Sequence, residues 1–413
     1  MTDGEPVLEL VVGERLLRFP AVWLRDNCAC AECQDPGSGQ KLKDITDIPD
    51  ELMVAATEEA GESVVVTYAP DRHRSTFSRS WLAGHALDSY DGDGRTEDEK
   101  ELWLPANLTG RQPQEPTWPE GGGPEGSWSE GSGPRGSGRE GSWPCYLAEP
   151  ADRARCLDAV LHWGFTLLHD VPAEAGQVLE VAASFGFVRE TNYGRLFDVR
   201  VDPELPSPGN LAYTSRRILP HTDNPYRDPV PTVQLLHCLR AAVQADGEAG
   251  GGDTGLVDGF AAARDLRAQD RAAFDVLTRT AVPFGYRDDG TELRASQPLI
   301  QLSPRGRVRG IRFNNRSAQP LRLPYAEVTA FYAAYRRWAE LLAHPERQLN
   351  LRLAPGDCLI FDNTRILHAR TAFRVTAGAP GRHLQGCYAD LDGLASTLAV
   401  LRRPAGHRCG EGL

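Results

Sequence analysis

From Gly110 to Pro144 the chain is dominated by Gly, Pro, Ser and Glu, with a loose repeat of Glu-Gly-Ser-Trp and Glu-Gly-Ser-Gly. A stretch of this kind cannot bury enough apolar surface to offset the entropy of ordering it. Hydrophobic cores must therefore form on either side of it, and residues 109–145 read as a disordered insert or linker. Its Trp118, Trp128 and Trp143 could still dock on a folded part. The full length of 413 residues exceeds what one ordinary core organises. The expected layout is an N-terminal domain over 1–108, the insert, and a larger domain over 146–413.

The N-terminal part reads as compact and β-rich. Val7–Leu17 alternates into a hairpin around Gly13-Glu14, and Val64–Tyr68 is a strand ending at Pro70. Asp91–Glu101 is charged and reads as exposed. Beyond the insert, Asp152–Trp163 places Leu157, Val160 and Leu161 on one helical face. Phe165–Leu168 is a short strand, Gln177–Phe185 a helix and Val233–Cys238 an apolar strand. Asp258 caps a helix through Ala261–Leu266. Tyr325–Leu342 is the clearest helix, with Val328, Phe331, Tyr332, Tyr335, Trp338 and Leu342 on one face. Leu349–Leu353, a turn at Pro355-Gly356-Asp357 and Cys358–Phe361 read as a hairpin, and Leu384–Tyr388 as the last strand. Strands, Gly/Pro turns and a few peripheral helices predict a mainly β, α+β fold: a double-stranded β-helix, or jelly roll, decorated with helices.

The formal net charge of −12 disfavours nucleic acid or an anionic membrane as partner. No apolar run reaches the roughly 18–20 residues a membrane helix needs. Met1–Arg15, acidic but for its final Arg, resembles neither a signal nor a basic transit peptide, so the cytosol is the expected compartment. Three of nine cysteines, Cys28, Cys30 and Cys33, are packed together; neighbours this close pair poorly with one another and suit metal ligation.

His221-Thr222-Asp223 is the leading candidate for chemistry, because in an extended strand residues i and i+2 share a face. His368, after the Pro355–Phe361 segment, supplies a second imidazole. Two histidines and one carboxylate with positions left open form the facial arrangement of non-haem Fe(II) oxygenases, which bind 2-oxoglutarate and O₂ at those positions. The distal carboxylate of 2-oxoglutarate needs a cation, and Arg382, fourteen positions beyond His368 at the start of the next strand, has the planar fork for it. A lone His-x-Asp is common by chance and a lone Arg is usually a surface ion-pair partner; the weight rests on their combination.

These residues sit inside longer stretches: Trp23-Leu24-Arg25-Asp26-Asn27-Cys28, Val233-Gln234-Leu235-Leu236-His237-Cys238, Gly251-Gly252-Asp253-Thr254 with Val257-Asp258-Gly259-Phe260, Phe313-Asn314-Asn315, Pro355-Gly356-Asp357 with Phe361-Asp362-Asn363, and Arg382-His383-Leu384 with Gly386 and Tyr388-Ala389-Asp390. In them the sequence resembles the γ-butyrobetaine dioxygenase and trimethyllysine dioxygenase family over nearly its whole length except the Gly-rich insert. The resemblance implies a jelly-roll catalytic domain, a small N-terminal zinc domain and a homodimer. It implies Fe(II) on His221, Asp223 and His368, 2-oxoglutarate on Arg382 beside Asn210 and Leu236, and ascorbate as a candidate auxiliary reductant. The zinc ligands it implies are Cys28, Cys30, Cys33 and His73, with His85 as the alternative fourth. Three thiolates and an imidazole make a closed, structural shell.

The resemblance also implies an aromatic cage for a quaternary ammonium at Tyr193, Phe197, Tyr213 and Tyr388. A trimethylammonium group has no N–H to donate, so ring faces are its natural partners. Phe197 departs from the family's γ-butyrobetaine hydroxylases, which carry Trp there, and for any one of these rings core packing is the plain alternative. At the other end, Asn315 fits the family, whereas Arg316 is unexpected in a butyrobetaine enzyme. It could grip a carboxylate or a phosphonate, or lie in solvent as most arginines do. The expected activity is hydroxylation of a small trimethylammonium compound, γ-butyrobetaine to L-carnitine, with 2-(trimethylamino)ethylphosphonate and trimethyllysine as rival substrates. The non-enzymatic alternative is a zinc-bearing interaction protein on an inactive oxygenase fold.

Overall fold

The computed structural model describes residues 7–12, 15–87, 96–108, 139–200, 214–241, 251–373 and 381–403. Among them two compact units separate, one within Met1–Gly92 and one within Asp93–Arg402. Most of the Gly/Pro/Ser-rich stretch lies outside the described residues, as do Asn210 and Tyr213.

The first unit holds two small antiparallel sheets. Val7–Val12 pairs with Arg15–Pro20 in the expected hairpin, placing Leu8 opposite Phe19 and Leu10 opposite Leu17, all four buried. Met53–Ala60, Ser63–Ala69 and Arg74–Ser78 form the second sheet. Val64, Val66 and Tyr68 alternate inward, as period-2 patterning requires, and join those residues in one core.

The second unit is built on two sheets. The larger runs, in order, Glu140–Ser142, Phe165–His169, Cys358–Asp362, Val233–Arg240, His383–Ala389 and Phe197–Arg200; the smaller runs Leu349–Leu351, Thr254–Asp258, Ile366–Arg370 and Ile218–His221. All pairs are antiparallel except Glu140–Ser142 on Phe165–His169. Alternation sorts the side chains into two cores. Leu236, Leu359, Phe361 and Leu384 from the larger sheet meet Leu256 and Ile366 from the smaller one. Val233, Leu235, Ile360 and Cys387 point the other way, onto the helices Trp143–Ala148, Pro150–Trp163, Gln177–Ala183 and Leu391–Leu401. Val233–Cys238 is buried on both faces, which is why apolar residues fall on both sides of the strand without strict polar alternation, and its two polar members, Gln234 and His237, are buried with the rest. The outer face of the smaller sheet is covered by Gly259–Gln269, Arg271–Arg279 and Tyr325–Ala343. This is the predicted jelly roll with peripheral helices. Asp258 caps as expected, accepting hydrogen bonds from the backbone N–H of Phe260 and Ala261. No described helix is long and apolar enough to cross a membrane.

Four readings need correction. Residues 96–108 belong to the second unit rather than to a domain ending at 108: Trp103 is buried against Phe165, with ring centroids 5.6 Å apart. Glu97, expected in an exposed stretch, is buried because its carboxylate takes Arg267 at 2.9 Å and the Val308 N–H at 3.2 Å. The low-complexity stretch also ends before 145, since Glu140–Ser142 is a strand and Trp143 is buried with its ring on Tyr146. Finally, Pro355-Gly356-Asp357 does not close a hairpin. Leu349–Leu351 pairs with Thr254–Leu256 in the smaller sheet and Cys358–Asp362 lies in the larger, so the turn carries the chain from one sheet to the other. Local turn chemistry cannot distinguish these two outcomes.

Candidate active site and zinc centre

The inner faces of both sheets enclose a cavity of about 390 Å³. His221 ends the Ile218–His221 strand and pairs directly with His368 across the smaller sheet, so their rings lie 4.1 Å apart between centroids. Asp223 is not on that strand. It is brought back by the following turn, where Asn224 adopts a left-handed φ of 55°. Asn363 fixes this turn from both sides: its Oδ1 accepts the Asp223 N–H at 2.8 Å, and its amide donates to the Asp223 and Pro231 carbonyls at 3.1 and 2.9 Å. The three side chains converge, as expected, but by a turn rather than by strand alternation. Asp223 Oδ1 is 3.4 Å from His221 Nε2, Asp223 Oδ2 is 4.0 Å from His368 Nε2, and the ligating atoms all fall within 4.8 Å of one another.

The electrostatics suit a cation. Burial, followed by the charge of Arg316, lowers the His221 pKa, and burial with the neighbouring His221 pushes His368 down to about 3. Both imidazoles are therefore neutral at pH 7, the form that ligates metal. His221 Nδ1 lies 2.9 Å from the Leu219 carbonyl; donation there leaves Nε2 bare toward Asp223. Burial works against the Asp223 charge, but the two histidines and the Tyr388 hydroxyl outweigh it and hold the carboxyl below its ordinary range. Two neutral imidazoles and one carboxylate, with no other described carboxylate or thiol closing the shell, fit Fe(II) with positions to spare.

Arg382 is buried on the cavity wall with Leu236, Thr254 and Leu384. Burial lowers its pKa to about 10, which still leaves it charged, and among the described residues it has no ion pair or hydrogen bond. Gly252 makes room for it: a Cβ there would sit 3.0 Å from Arg382 Cδ. A buried cation with no ion-pair partner among the described residues, facing the triad's cavity, fits the distal carboxylate of 2-oxoglutarate. Arg370 also lines the cavity but is engaged, donating to the carbonyls of Thr214 and Arg216.

One cavity wall is aromatic. Tyr388 and Phe197 lie 5.1 Å apart between ring centroids, and Phe197 and Tyr193 6.1 Å. Two further rings continue the wall. Tyr286 stands edge-on to Tyr193 at 5.7 Å and stacks on Tyr226 at 5.1 Å, while the Tyr193 and Tyr226 hydroxyls are 3.1 Å apart. Sequence reasoning missed both; Tyr226 lies three residues beyond Asp223, whereas Tyr286 carries no local signal. Arg316 is exposed and also lines this cavity, close enough to Asp223, Tyr193 and Tyr226 for their charges to bear on it. Asn314 orients it, accepting from Arg316 N at 3.1 Å and Nε at 3.3 Å. Asn315, the expected substrate contact, is instead exposed and accepts from the Tyr335 hydroxyl at 2.9 Å; Asn314 takes the place on the cavity wall.

In the first unit, His73 sits in the turn between Ser63–Ala69 and Arg74–Ser78, and its Nε2 meets Cys28, Cys30 and Cys33 Sγ at 3.2, 3.7 and 3.6 Å. His85 is stacked on Trp81 at 4.1 Å, whereas His73 is the histidine grouped with the three cysteines. Without a metal, burial raises the Cys28 thiol to about 11, whereas at Cys30 burial is outweighed by hydrogen bonds from the Glu32 backbone and the neighbouring thiols, which lower it. Arg25 donates to Cys33 Sγ at 3.1 Å and pairs with Asp71 at 2.9 Å. That guanidinium offsets the net negative charge three thiolates leave on a divalent ion, and the donor set fits structural zinc.

Residues 131–388 match the Taurine catabolism dioxygenase TauD, TfdA family, and residues 7–83 match the Gamma-butyrobetaine hydroxylase-like, N-terminal family. A gamma-butyrobetaine dioxygenase of Pseudomonas sp. (strain AK-1) is 33% identical over 94% of this chain and 92% of its own. The dioxygenase str8 of Strobilurus tenacellus is 30% identical over 93% and 85%, and the Homo sapiens gamma-butyrobetaine dioxygenase 29% over 97% and 96%. The chain thus belongs to the TauD, TfdA dioxygenase family, as a 2-oxoglutarate-dependent enzyme whose His221, Asp223 and His368 form its candidate iron centre.

Proposed function

We propose that this enzyme hydroxylates an aliphatic C–H of a small trimethylammonium substrate, γ-butyrobetaine to L-carnitine. The observation that carries the reading is the unbroken aromatic wall from Tyr388 through Phe197 to Tyr193 beside the triad, in the cavity that also holds Arg316. Ring faces attract a quaternary ammonium that no hydrogen-bond acceptor can hold, and a guanidinium takes the carboxylate at the other end. The likeness to gamma-butyrobetaine dioxygenases over more than nine-tenths of their length supports the same substrate class.

His221, Asp223 and His368 would hold Fe(II), while Arg382 would take the distal carboxylate of 2-oxoglutarate, with Leu236 against its carbon chain. When bound, iron with 2-oxoglutarate and O₂ supplies the oxidant that exchanges a C–H for a C–OH, releasing succinate and CO₂. The chain's own work is positioning. The rings fix the ammonium, Asn314 fixes Arg316, and a substrate held at both ends presents one carbon to the metal side. A filled cavity also excludes water from the reacting centre. A protein retaining this fold only for interaction has no use for a buried unpaired arginine beside three converging ligands.

Arg316 favours a second reading, since a doubly charged phosphonate gains more from a guanidinium than a carboxylate does. Iron-loaded enzyme incubated with γ-butyrobetaine, 2-(trimethylamino)ethylphosphonate and trimethyllysine, with succinate measured, decides between them. Succinate stimulated by the phosphonate alone refutes the butyrobetaine reading; stimulation by none of the three refutes the substrate class. A cytosolic homodimer completes the proposal, and light scattering of the purified protein tests its oligomeric part.

A further inference from the structure

Asp223 presents its two oxygens unequally. Oδ2 accepts the Tyr388 hydroxyl at 2.9 Å and the Gln234 amide at 2.8 Å and lies 4.0 Å from His368 Nε2, whereas Oδ1 faces the bare His221 Nε2 at 3.4 Å and accepts no hydrogen bond among the described residues. The two donors come from adjacent strands of the larger sheet and occupy directly paired positions, Gln234 opposite Tyr388. Both are buried, at 1% and 2% exposure, so neither has water as an alternative partner. Reversing the Gln234 amide would set its carbonyl against the carboxylate, so the donor orientation is the one the charge demands. Tyr388 is at once a wall of the cavity, 5.1 Å from Phe197 between ring centroids.

We propose that Tyr388 and Gln234 are positioning residues that hold Asp223 Oδ2 away from the iron, so that the carboxylate presents Oδ1 alone, and that Tyr388 couples occupancy of the aromatic wall to the iron ligand. A carboxylate with both oxygens free can chelate a cation and consume two positions. Two charge-assisted hydrogen bonds on one oxygen make that rotation unfavourable and keep the position open for cosubstrate. The coupling half rests on the proposed trimethylammonium site: a cation seated on the Tyr388 ring fixes where that ring lies, and with it the hydroxyl that holds Asp223 Oδ2.

The test uses Co(II) as the metal, titrated into the metal-free iron site of the full-length, zinc-loaded protein, with affinity from calorimetry and coordination from the visible d–d spectrum. Tyr388→Phe keeps the ring and removes only the hydroxyl; Gln234→Leu removes the other donor. Each should weaken Co(II) binding about 10- to 100-fold and change band intensity as the carboxylate swings to two-oxygen ligation. Unaltered melting temperature before metal addition separates this from misfolding. In the wild type, γ-butyrobetaine should shift the Co(II) bands; in Tyr388→Phe it should still bind without shifting them. Wild-type affinity and spectrum in both variants overturn the proposal, and a full γ-butyrobetaine shift in Tyr388→Phe overturns its coupling half. If γ-butyrobetaine fails to bind even the wild type while both variants still lose Co(II) affinity, the substrate reading falls and the positioning role stands.

Discussion

Replacing Gly386 with Ala should damage the aromatic wall while leaving the fold in place. Gly386 pairs with Phe197 across the larger sheet, and a Cβ built on it would lie 2.4 Å from Phe197 Cζ and 2.5 Å from Cε2, with the Leu235 carbonyl at 3.0 Å. Carbon atoms rest at about 3.5–4.0 Å, so the ring must retreat by about 1 Å or more. The ring's far edge can give; the Leu235 carbonyl, part of a central strand, cannot. Overpacking of this kind costs about 1–3 kcal/mol. Displacing one ring from a cation it contacts forfeits about 0.5–2 kcal/mol. At 1.4 kcal/mol per decade, that raises the KM for the trimethylammonium substrate about 2- to 30-fold. The assay is succinate release against substrate concentration, with thermal melting alongside. Adding Phe197→Leu to Gly386→Ala should restore the melting temperature without restoring affinity, because the space is regained but the ring is not. A single variant that melts and binds like the wild type would show that Phe197 does not depend on the bare glycine and has no part in the wall.

Three other outcomes are expected. Arg382→Gln should raise the KM for 2-oxoglutarate about 10- to 150-fold, the value of a charge-assisted pair of about 1.5–3 kcal/mol, and a KM within twofold of wild type would remove Arg382 from that role. His169, whose pKa is raised from 6.5 to about 10 by its hydrogen bonds to Asp357 and Glu140, adds stability that is complete below pH 6.5 and lost as pH rises through 10; melting temperature against pH should flatten over that window in His169→Gln, and an unchanged profile would refute the pairing. Cys30→Ala should lose the zinc measured by elemental analysis and lower the melting temperature, while His85→Ala should keep a full equivalent; the reverse pattern would move the fourth ligand to His85.

Which residues could ligate, cage or pair with an anion was readable one residue at a time, because each such role depends on side-chain chemistry. His221, Asp223, His368, Arg382 and the Cys28-Cys30-Cys33 cluster are marked by type and spacing, and alternation or helical period announced most strands and helices, including the Asp258 cap. Readings failed where the outcome depended on what lies across the fold. Glu97 looks like surface until Arg267, distant in sequence, arrives beside it. Pro355-Gly356-Asp357 resembles a hairpin turn, and only strand pairing elsewhere shows that it passes between sheets.

The sequence by itself determined the chemical inventory and the two-sheet architecture, since donor identity and hydrophobic period are local properties of the chain. Tertiary structure alone decided which of two adjacent asparagines reaches the cavity, that Tyr226 and Tyr286 extend its aromatic wall, and that Gln234 and Tyr388 share one oxygen of Asp223. Those facts rest on the direction in which side chains from separate strands point and on the distances between them, and such directions exist only once the sheets have paired and closed on each other.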